Sequence, residues 1–229
     1  MEAIVLAGGF GTRLASRLQG IPKPMAPVAG RPFLEILMNQ LRRSGCGHVL
    51  LSVGYLHQQI QDHFGKTWHG MCLDYVIEET PLGTGGAIRA ALEQTTEEAI
   101  LVLNGDTFLQ ADYAAMLAFH KAEAASMTMA VTHQAEIARY GGVLIEGRRI
   151  VGYQEKGCSG PGWINAGAYV LSKSLLWPPN LPAKFSFETD FLMPEVSRIA
   201  PAAYRVEGFF LDIGIPEDLD RAQTALAEF

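Results

Sequence analysis

An α/β fold, with a mostly parallel sheet between layers of helices, is predicted by two features of the sequence. Short β-rich apolar runs alternate with segments of helical periodicity, and strand, helix, strand in repetition implies parallel pairing through right-handed crossovers. The 229 residues are 48% hydrophobic and 18% charged, which suits one large domain with a real core, or a domain carrying a small lobe.

The strands are expected in order at 3–7 (AIVLA), 48–53 (HVLLSV), 73–77 (LDYVI), 99–104 (AILVLN), 127–132 (MTMAVT) and 165–172 (NAGAYVLS). Between them, Leu34, Leu37, Met38 and Leu41 recur at i, i+3, i+4 and i+7, and Gly45 is a stop signal. GGAIRAALEQT and the alanine-rich DYAAMLAFHKAEAA also read as helices. PEDLDRAQTALAEF opens with proline and two acids, a favourable helix start. From about residue 127 the pattern changes. RYGGVLIEGRRIVGYQEKG, with its glycines and short strands, predicts hairpins and a mixed sheet. There is no internal repeat and no low-complexity linker.

Several function classes are disfavoured. The net charge of −6 argues against nucleic-acid binding, which needs a basic face. No apolar span reaches 18 residues, so no membrane crossing is expected. The chain enters an apolar run without a basic segment before it, which argues against a secretory signal and for the cytoplasm. Cys46, Cys72 and Cys158 form neither a disulfide framework nor a zinc motif, and are expected to be buried free thiols. The histidines are scattered, with no transition-metal pattern.

Residues 4–13 read IVLAGGFGTR. The first strand ends at Ala7, so residues 8–13 lie at the carboxyl edge of the sheet, where open α/β sheets bind ligands. Glycines allow close backbone approach, and successive free N–H groups make an anion-binding nest. The spacing fits neither a P-loop nor a dinucleotide fingerprint. Downstream, Lys23 stands between two prolines in IPKPMAPVAGRPFLE, which predicts a stiff, extended segment holding the lysine. Such a brace suits a lysine aimed at phosphate.

LAGGFGTRL followed by PKPM resembles the signature of the sugar-1-phosphate nucleotidyltransferases, and further matching motifs extend to residue 218. The resemblance implies a Rossmann-like (GT-A-like) single domain of three layers. Residues 1–125 would form its nucleotide-binding part and 126–229 its sugar-phosphate-binding part. It also implies transfer of a nucleotidyl group to a sugar 1-phosphate with Mg²⁺ as cofactor. Leu6, Ala7, Gly8, Gly9, Gly11, Thr12 and Arg13 would line the nucleotide, with Arg13 on the departing β,γ-phosphates and Lys23 on the α-phosphate. EETPLGTGGAIRAAL resembles the base-recognition loop, with Gly83 and Thr84 under the base and Gly85 and Gly86 opening a helix. LVLNGDTF supplies Asp106, and GFFLDIGIPEDL supplies Asp212, as the metal pair. Two acids so placed would repel without a cation between them. RYGGV, YQEKG and WINAGAYV would supply Gly141, Glu155, Lys156, Asn165 and Gly167 to the sugar phosphate. Arg13, Lys23 and Asp106 are the expected catalytic residues.

Glu78 tilts the base toward guanine. Guanine presents two adjacent N–H donors, and a carboxylate accepts two parallel, charge-assisted bonds. Uracil and thymine, with one donor between carbonyls, suit the glutamine that uridylyl and thymidylyl relatives tend to carry there. The short length, EETPLGTGGAIRA, NAGAYVLS and FSFETDFL look most like the members that guanylylate D-glycero-α-D-manno-heptose 1-phosphate. Mannose 1-phosphate with GTP, and N-acetylmuramate or hexose 1-phosphate with UTP, remain alternatives. So do a non-catalytic nucleotide-sugar sensor and a cytidylyltransferase for an alcohol phosphate. The chain carries no hexapeptide-repeat segment, so no acetyltransferase half is expected. Trp163, Trp177 and Phe187 are assigned to core packing, and a monomer or homodimer is expected.

Overall fold

The computed structural model describes residues 1–9 and 11–229, and of Thr12 the backbone alone. In chain order the elements are β1 (Glu2–Ala7), α1 (Ala15–Leu18), β2 (Pro27–Val28), β3 (Arg31–Pro32), α2 (Phe33–Arg43), β4 (His48–Val53) and α3 (His57–Phe64). Then come β5 (Thr67–Trp68), β6 (Met71–Ile77), α4 (Gly83–Leu92), β7 (Ala99–Asn104), β8 (Thr107–Leu109), α5 (Tyr113–Ala122) and β9 (Met127–Gln134). The chain closes with β10 (Gly142–Glu146), β11 (Arg149–Gln154), β12 (Gly162–Ser172), α6 (Met193–Ile199), β13 (Ala202–Val206), β14 (Phe210–Asp212) and α7 (Pro216–Ala225).

Among the described residues a ten-stranded sheet runs β10-β11-β13-β9-β12-β7-β1-β4-β6-β5. β6, β4, β1 and β7 are parallel neighbours. β12 is antiparallel to both β7 and β9, and β13 returns parallel to β9. The expected change of pattern near residue 127 is this insertion, followed by the β10–β11 hairpin.

β1, β4 and β7 read as nearly unbroken apolar runs because both faces are covered, whereas β6 alternates buried and exposed residues near the rim of the sheet. Val5, Leu51 and Leu103 face one core with Leu37 and Leu41 of α2, Met116 of α5 and Ala222 of α7. Ile4, Leu50 and Val102 face a second core with Ile88 of α4 and Phe185, Phe187 and Phe191. These two cores make the three layers.

The helix ends follow local chemistry. α2 carries Glu35 in its first turn and Arg42 and Arg43 in its last, charges that complement the helix dipole. The Asp112 carboxylate caps α5 by accepting from Ala115 N–H at 2.9 Å. Phe187 is buried, and Trp163 and Trp177 pack partly buried against the second core. Of the cysteines only Cys46 is buried; Cys72 and Cys158 are exposed, contrary to expectation. Cys72 takes an outward position on β6, which pairs on its outer side only with the short β5, and Cys158 lies in the loop after β11. No helix among the described residues is long and apolar enough to cross a membrane.

Candidate functional site

β1 has β4 on one side and β7 on the other, so strand order reverses at its carboxyl end. A crevice opens at such a point in a parallel sheet. Leu6 pairs with Asn104, and Gly105 N–H donates to the Leu6 carbonyl at 2.9 Å, which seats Asp106 beside the glycine loop.

A cleft of about 250 Å³ lies over this edge, lined by Leu6, Ala7, Gly8, Gly9, Lys23, Glu78, Gly83, Thr84 and Asp106. Gly11, at φ +58°, lies against the stem of Lys23, where an added Cβ would come within 3.0 Å of the Lys23 Cβ. Thr12 and Arg13 fall in a 3-10 turn spanning Thr12–Leu14; the Thr12 side chain and Phe10 are outside the described residues. Lys23 opens a second 3-10 turn, Lys23–Met25, rather than an extended segment. Ala26 N–H closes that turn on the Lys23 carbonyl, and Pro24 fits inside it because no N–H is needed there.

The Lys23 ammonium donates to Asp106 Oδ2 at 2.6 Å, with the lysine side chain only 14% exposed. Glu78 accepts from the Ser52 hydroxyl at 3.1 Å through Oε1 and from Leu82 N–H at 2.9 Å through Oε2. Each carboxylate oxygen keeps a further lone pair for a ligand. A Cβ on Gly8 would sit 2.5 Å from Glu78 Oε1, so this glycine admits the carboxylate to the cleft.

The glycines of the GTGG stretch serve packing more than ligand approach. α4 begins at Gly83, two residues earlier than expected. Added Cβ atoms on Gly83, Gly85 and Gly86 would strike the Phe185 carbonyl, the Phe185 ring and the Ala183 carbonyl. The Thr84 hydroxyl accepts from Phe187 N–H at 2.9 Å, and Arg89 donates to the Pro182 carbonyl at 2.8 Å. Residues 182–187 are thereby strapped to the start of α4.

A second cleft, of about 450 Å³, shares Leu6, Thr84 and Asn104 with the first and brings together Arg13, Lys156, Asn165, Gly167 and Asp212. A third, of about 210 Å³, adjoins it and adds Gly141 and Glu155. Asp212 pairs with Thr107 across the β8–β14 ribbon, and Ile213 N–H donates to the Asp106 carbonyl, which sets the two acids close together. Burial raises the Asp212 carboxyl above its ordinary value, and the charge of Asp106 adds to this; Lys23, Arg139 and Gly214 N–H oppose it.

Among the described residues no three metal-binding side chains cluster. Two carboxylates alone suit a hard cation that keeps waters and takes its remaining ligands from phosphate oxygens, which is the preference of Mg²⁺. The donor set therefore fits that ion when a phosphorylated ligand is present.

Several residues of these clefts were not singled out from sequence. Arg139 donates to Asp212 Oδ2 at 3.0 Å and also to Asp218, so its guanidinium bridges the two acids. Glu188 lines both the second and the third cleft. Asn165 donates to the Tyr169 hydroxyl at 2.7 Å and to Glu188 at 3.2 Å. Arg139 stands in the same RYGGV stretch as Gly141, and Glu188 in FSFETDFL, so both lay in matching motifs.

The nucleotidyl transferase family model matches residues 2–228. The chain is 41% identical over its full length, and over the full length of the relative, to D-glycero-alpha-D-manno-heptose 1-phosphate guanylyltransferase of Aneurinibacillus thermoaerophilus. It is 39% identical to the enzyme of the same name from Campylobacter jejuni, covering 95% of this chain and 96% of that one. The crystal structure of HddC from Yersinia pseudotuberculosis complexed with GMP-PN superposes with a TM-score of 0.85 at 36% identity, over 98% of this chain and 99% of the other. With a family match from the second residue to the last but one, the chain belongs to the nucleotidyl transferase family.

Proposed function

We propose that the protein transfers GMP from GTP to D-glycero-α-D-manno-heptose 1-phosphate, releasing pyrophosphate. The observation that carries this reading is the meeting of two clefts at Leu6, Thr84 and Asn104, with the acids Asp106 and Asp212 placed close together. One cleft offers a glycine edge and a carboxylate, and the other offers cations and sugar-sized polar groups. Full-length similarity to two heptose 1-phosphate guanylyltransferases supports the choice of substrates.

In this reading an oxygen of the sugar 1-phosphate forms a bond to the α-phosphorus as the bond from that phosphorus to the bridging oxygen of pyrophosphate breaks. The substrate brings its own nucleophile, so the protein contributes position and charge. Glu78 accepts from the guanine N–H pair. The backbone at Gly8 and Gly9 and the Arg13 guanidinium hold the β,γ-phosphates. Lys23 neutralises the α-phosphate, and Lys156 holds the attacking phosphate in line. Glu155 and Asn165 take sugar hydroxyls, and Gly141 and Gly167 line the same clefts. Asp106 and Asp212 hold Mg²⁺, which when bound supplies charge stabilisation at the α-phosphate.

The test is pyrophosphate release with Mg²⁺ across GTP, UTP, CTP, dTTP and ATP, each offered heptose, mannose, glucose and N-acetylmuramate 1-phosphates. Release with GTP and the heptose phosphate is expected to run well ahead of every other pair, with mannose 1-phosphate as a slow second substrate. Release with UTP would overturn the base assignment, release with mannose 1-phosphate alone the sugar assignment, and no release with any pair the catalytic reading.

A further inference from the structure

Glu188 sits at the junction of the two sugar-side clefts and contributes to the wall of both. It belongs to a π-helical turn, Phe187–Leu192, whose start is fixed from both sides. Phe187 N–H is bonded to Thr84, Ser186 N–H donates to Asp190 at 2.7 Å, and Thr189 N–H donates to the Ser186 hydroxyl at 3.2 Å. The Glu188 carboxylate is thus presented by rigid backbone. It is half-buried, it accepts from Asn165, and no cation pairs with it among the described residues. A carboxylate has about four acceptor positions, so most of its capacity is free.

Tyr153 shares the third cleft with it. Its ring lines the third cleft, and its hydroxyl is buried without any hydrogen-bond partner. Both residues line this one cleft, and burial together with the charge of Glu188 raises the Tyr153 phenol. Orphaned buried hydroxyls are rare, and each calls for a partner that the bare protein does not supply. A carboxylate with spare lone pairs and an orphan hydroxyl at one cavity wall match a ligand group that both donates and accepts, which is an alcohol.

The third cleft extends past Lys156 and Asn165, away from Asp212, and Val143 and Met193 give it an apolar side. Its size and its mixed wall suit a short polyol arm better than a phosphate. A heptose carries one more CH(OH) unit beyond the ring than a hexose does. We propose that Glu188, together with the Tyr153 hydroxyl, forms the subsite that reads the exocyclic polyol arm of the sugar and so separates a heptose 1-phosphate from a hexose 1-phosphate. The inference rests on the heptose reading given above.

The test compares wild type, Glu188→Gln and Tyr153→Phe on heptose 1-phosphate and mannose 1-phosphate with GTP. Both substitutions conserve shape, and thermal unfolding of each variant verifies that it folds. The expected result is a fall in kcat/KM for the heptose phosphate of roughly ten-fold or more for Glu188→Gln and about three- to ten-fold for Tyr153→Phe. Turnover of the mannose phosphate and the KM for GTP should change by less than about two-fold, which a general structural loss would not allow. Equal losses on both sugars, or no loss on either, overturn this inference alone. A wild-type enzyme that ignores the heptose phosphate while accepting another sugar overturns the heptose reading and this inference with it.

Discussion

Lys23 donates to Asp106 across 2.6 Å, so the lysine assigned to a phosphate and the acid assigned to a cation are, without ligands, each other's partner. A nucleotide that draws Lys23 to its α-phosphate frees Asp106 at the same moment. Lys23→Met should therefore act in two directions. Single-turnover GMP transfer should fall by about a hundred-fold or more, the scale of losing one preorganised charge in a water-poor site. Binding of Mn²⁺ to the nucleotide-free protein, followed by electron paramagnetic resonance, should tighten, because an uncapped acid pair attracts a cation more strongly. Unchanged turnover would remove Lys23 from the chemistry, and unchanged Mn²⁺ binding would show that the ion pair does not guard Asp106.

Glu78 offers the sharpest test of base choice. Glu78→Gln keeps an oxygen for either Ser52 or Leu82 N–H but loses the charge and one acceptor. We expect kcat/KM for GTP to fall by roughly ten-fold or more, since charge-assisted paired hydrogen bonds are the strong ones. The ratio of GTP to UTP turnover should fall with it. A ratio that stays constant in competition assays would place base recognition elsewhere.

The strap on α4 predicts a packing defect with a remote effect. In Gly85→Ala the new methyl would lie 2.1 Å from the Phe185 ring. That ring is buried against Trp177 and beneath Arg89, so relief is costly. Overpacking of this kind costs about 1–3 kcal/mol, readable in urea unfolding. Because residues 182–187 lead directly into the turn bearing Glu188, the KM for the sugar phosphate should rise more than the KM for GTP. Parallel changes in both would argue that the strap does not position Glu188.

A charge cluster at the amino ends of the strands predicts a stability window. Burial alone would raise Glu2, but hydrogen bonds from Glu97 N–H, His48 and Thr96 outweigh it and bring the carboxyl from 4.5 to about 2. Burial alone would lower His48, but its bonds to Glu2 and Asp74 raise it above 6.5. A depressed acid stabilises above its unfolded value and loses that contribution as pH falls from 4.5 toward 2. A raised histidine stabilises below 6.5 and loses its contribution as pH climbs through its folded value. Both contributions are therefore complete only between about 4.5 and 6.5. Glu2→Ala, which strips the partner from Thr96 and Glu97 N–H, should cost about 2–3 kcal/mol in that window and leave kcat unchanged, since the site lies at the opposite strand ends. Unfolding curves at pH 3, 5.5 and 8, with kcat measured at pH 5.5, check these statements.

The sequence disclosed the half of the sheet that is buried on both faces. β4 and β7 run over the expected residues, because continuous apolar strands between turns leave little ambiguity. It concealed β13, whose AAYRV is two alanines and an arginine with weak strand preference, held by pairing to β9. It also concealed the three-residue ribbon of β8 and β14, too short to show a period. At the site, residues fixed by the path of the main chain were legible: the glycine edge and the acids after β7 and in β14. Arg139, Tyr153 and Glu188 were not, since their roles come from which distant side chain each one meets.

β12 runs antiparallel to β7 from Ala168↔Leu103 to Ser172↔Ala99, so a central strand of residues 1–125 is hydrogen-bonded along its length to a strand from 126–229. The proposed division of labour between the two parts is thus not division of folding. Severed near residue 125, the first part would expose β7 as a long, flat, apolar edge, the kind of template on which chains aggregate. The intact protein should instead melt in one cooperative transition, with both halves lost together.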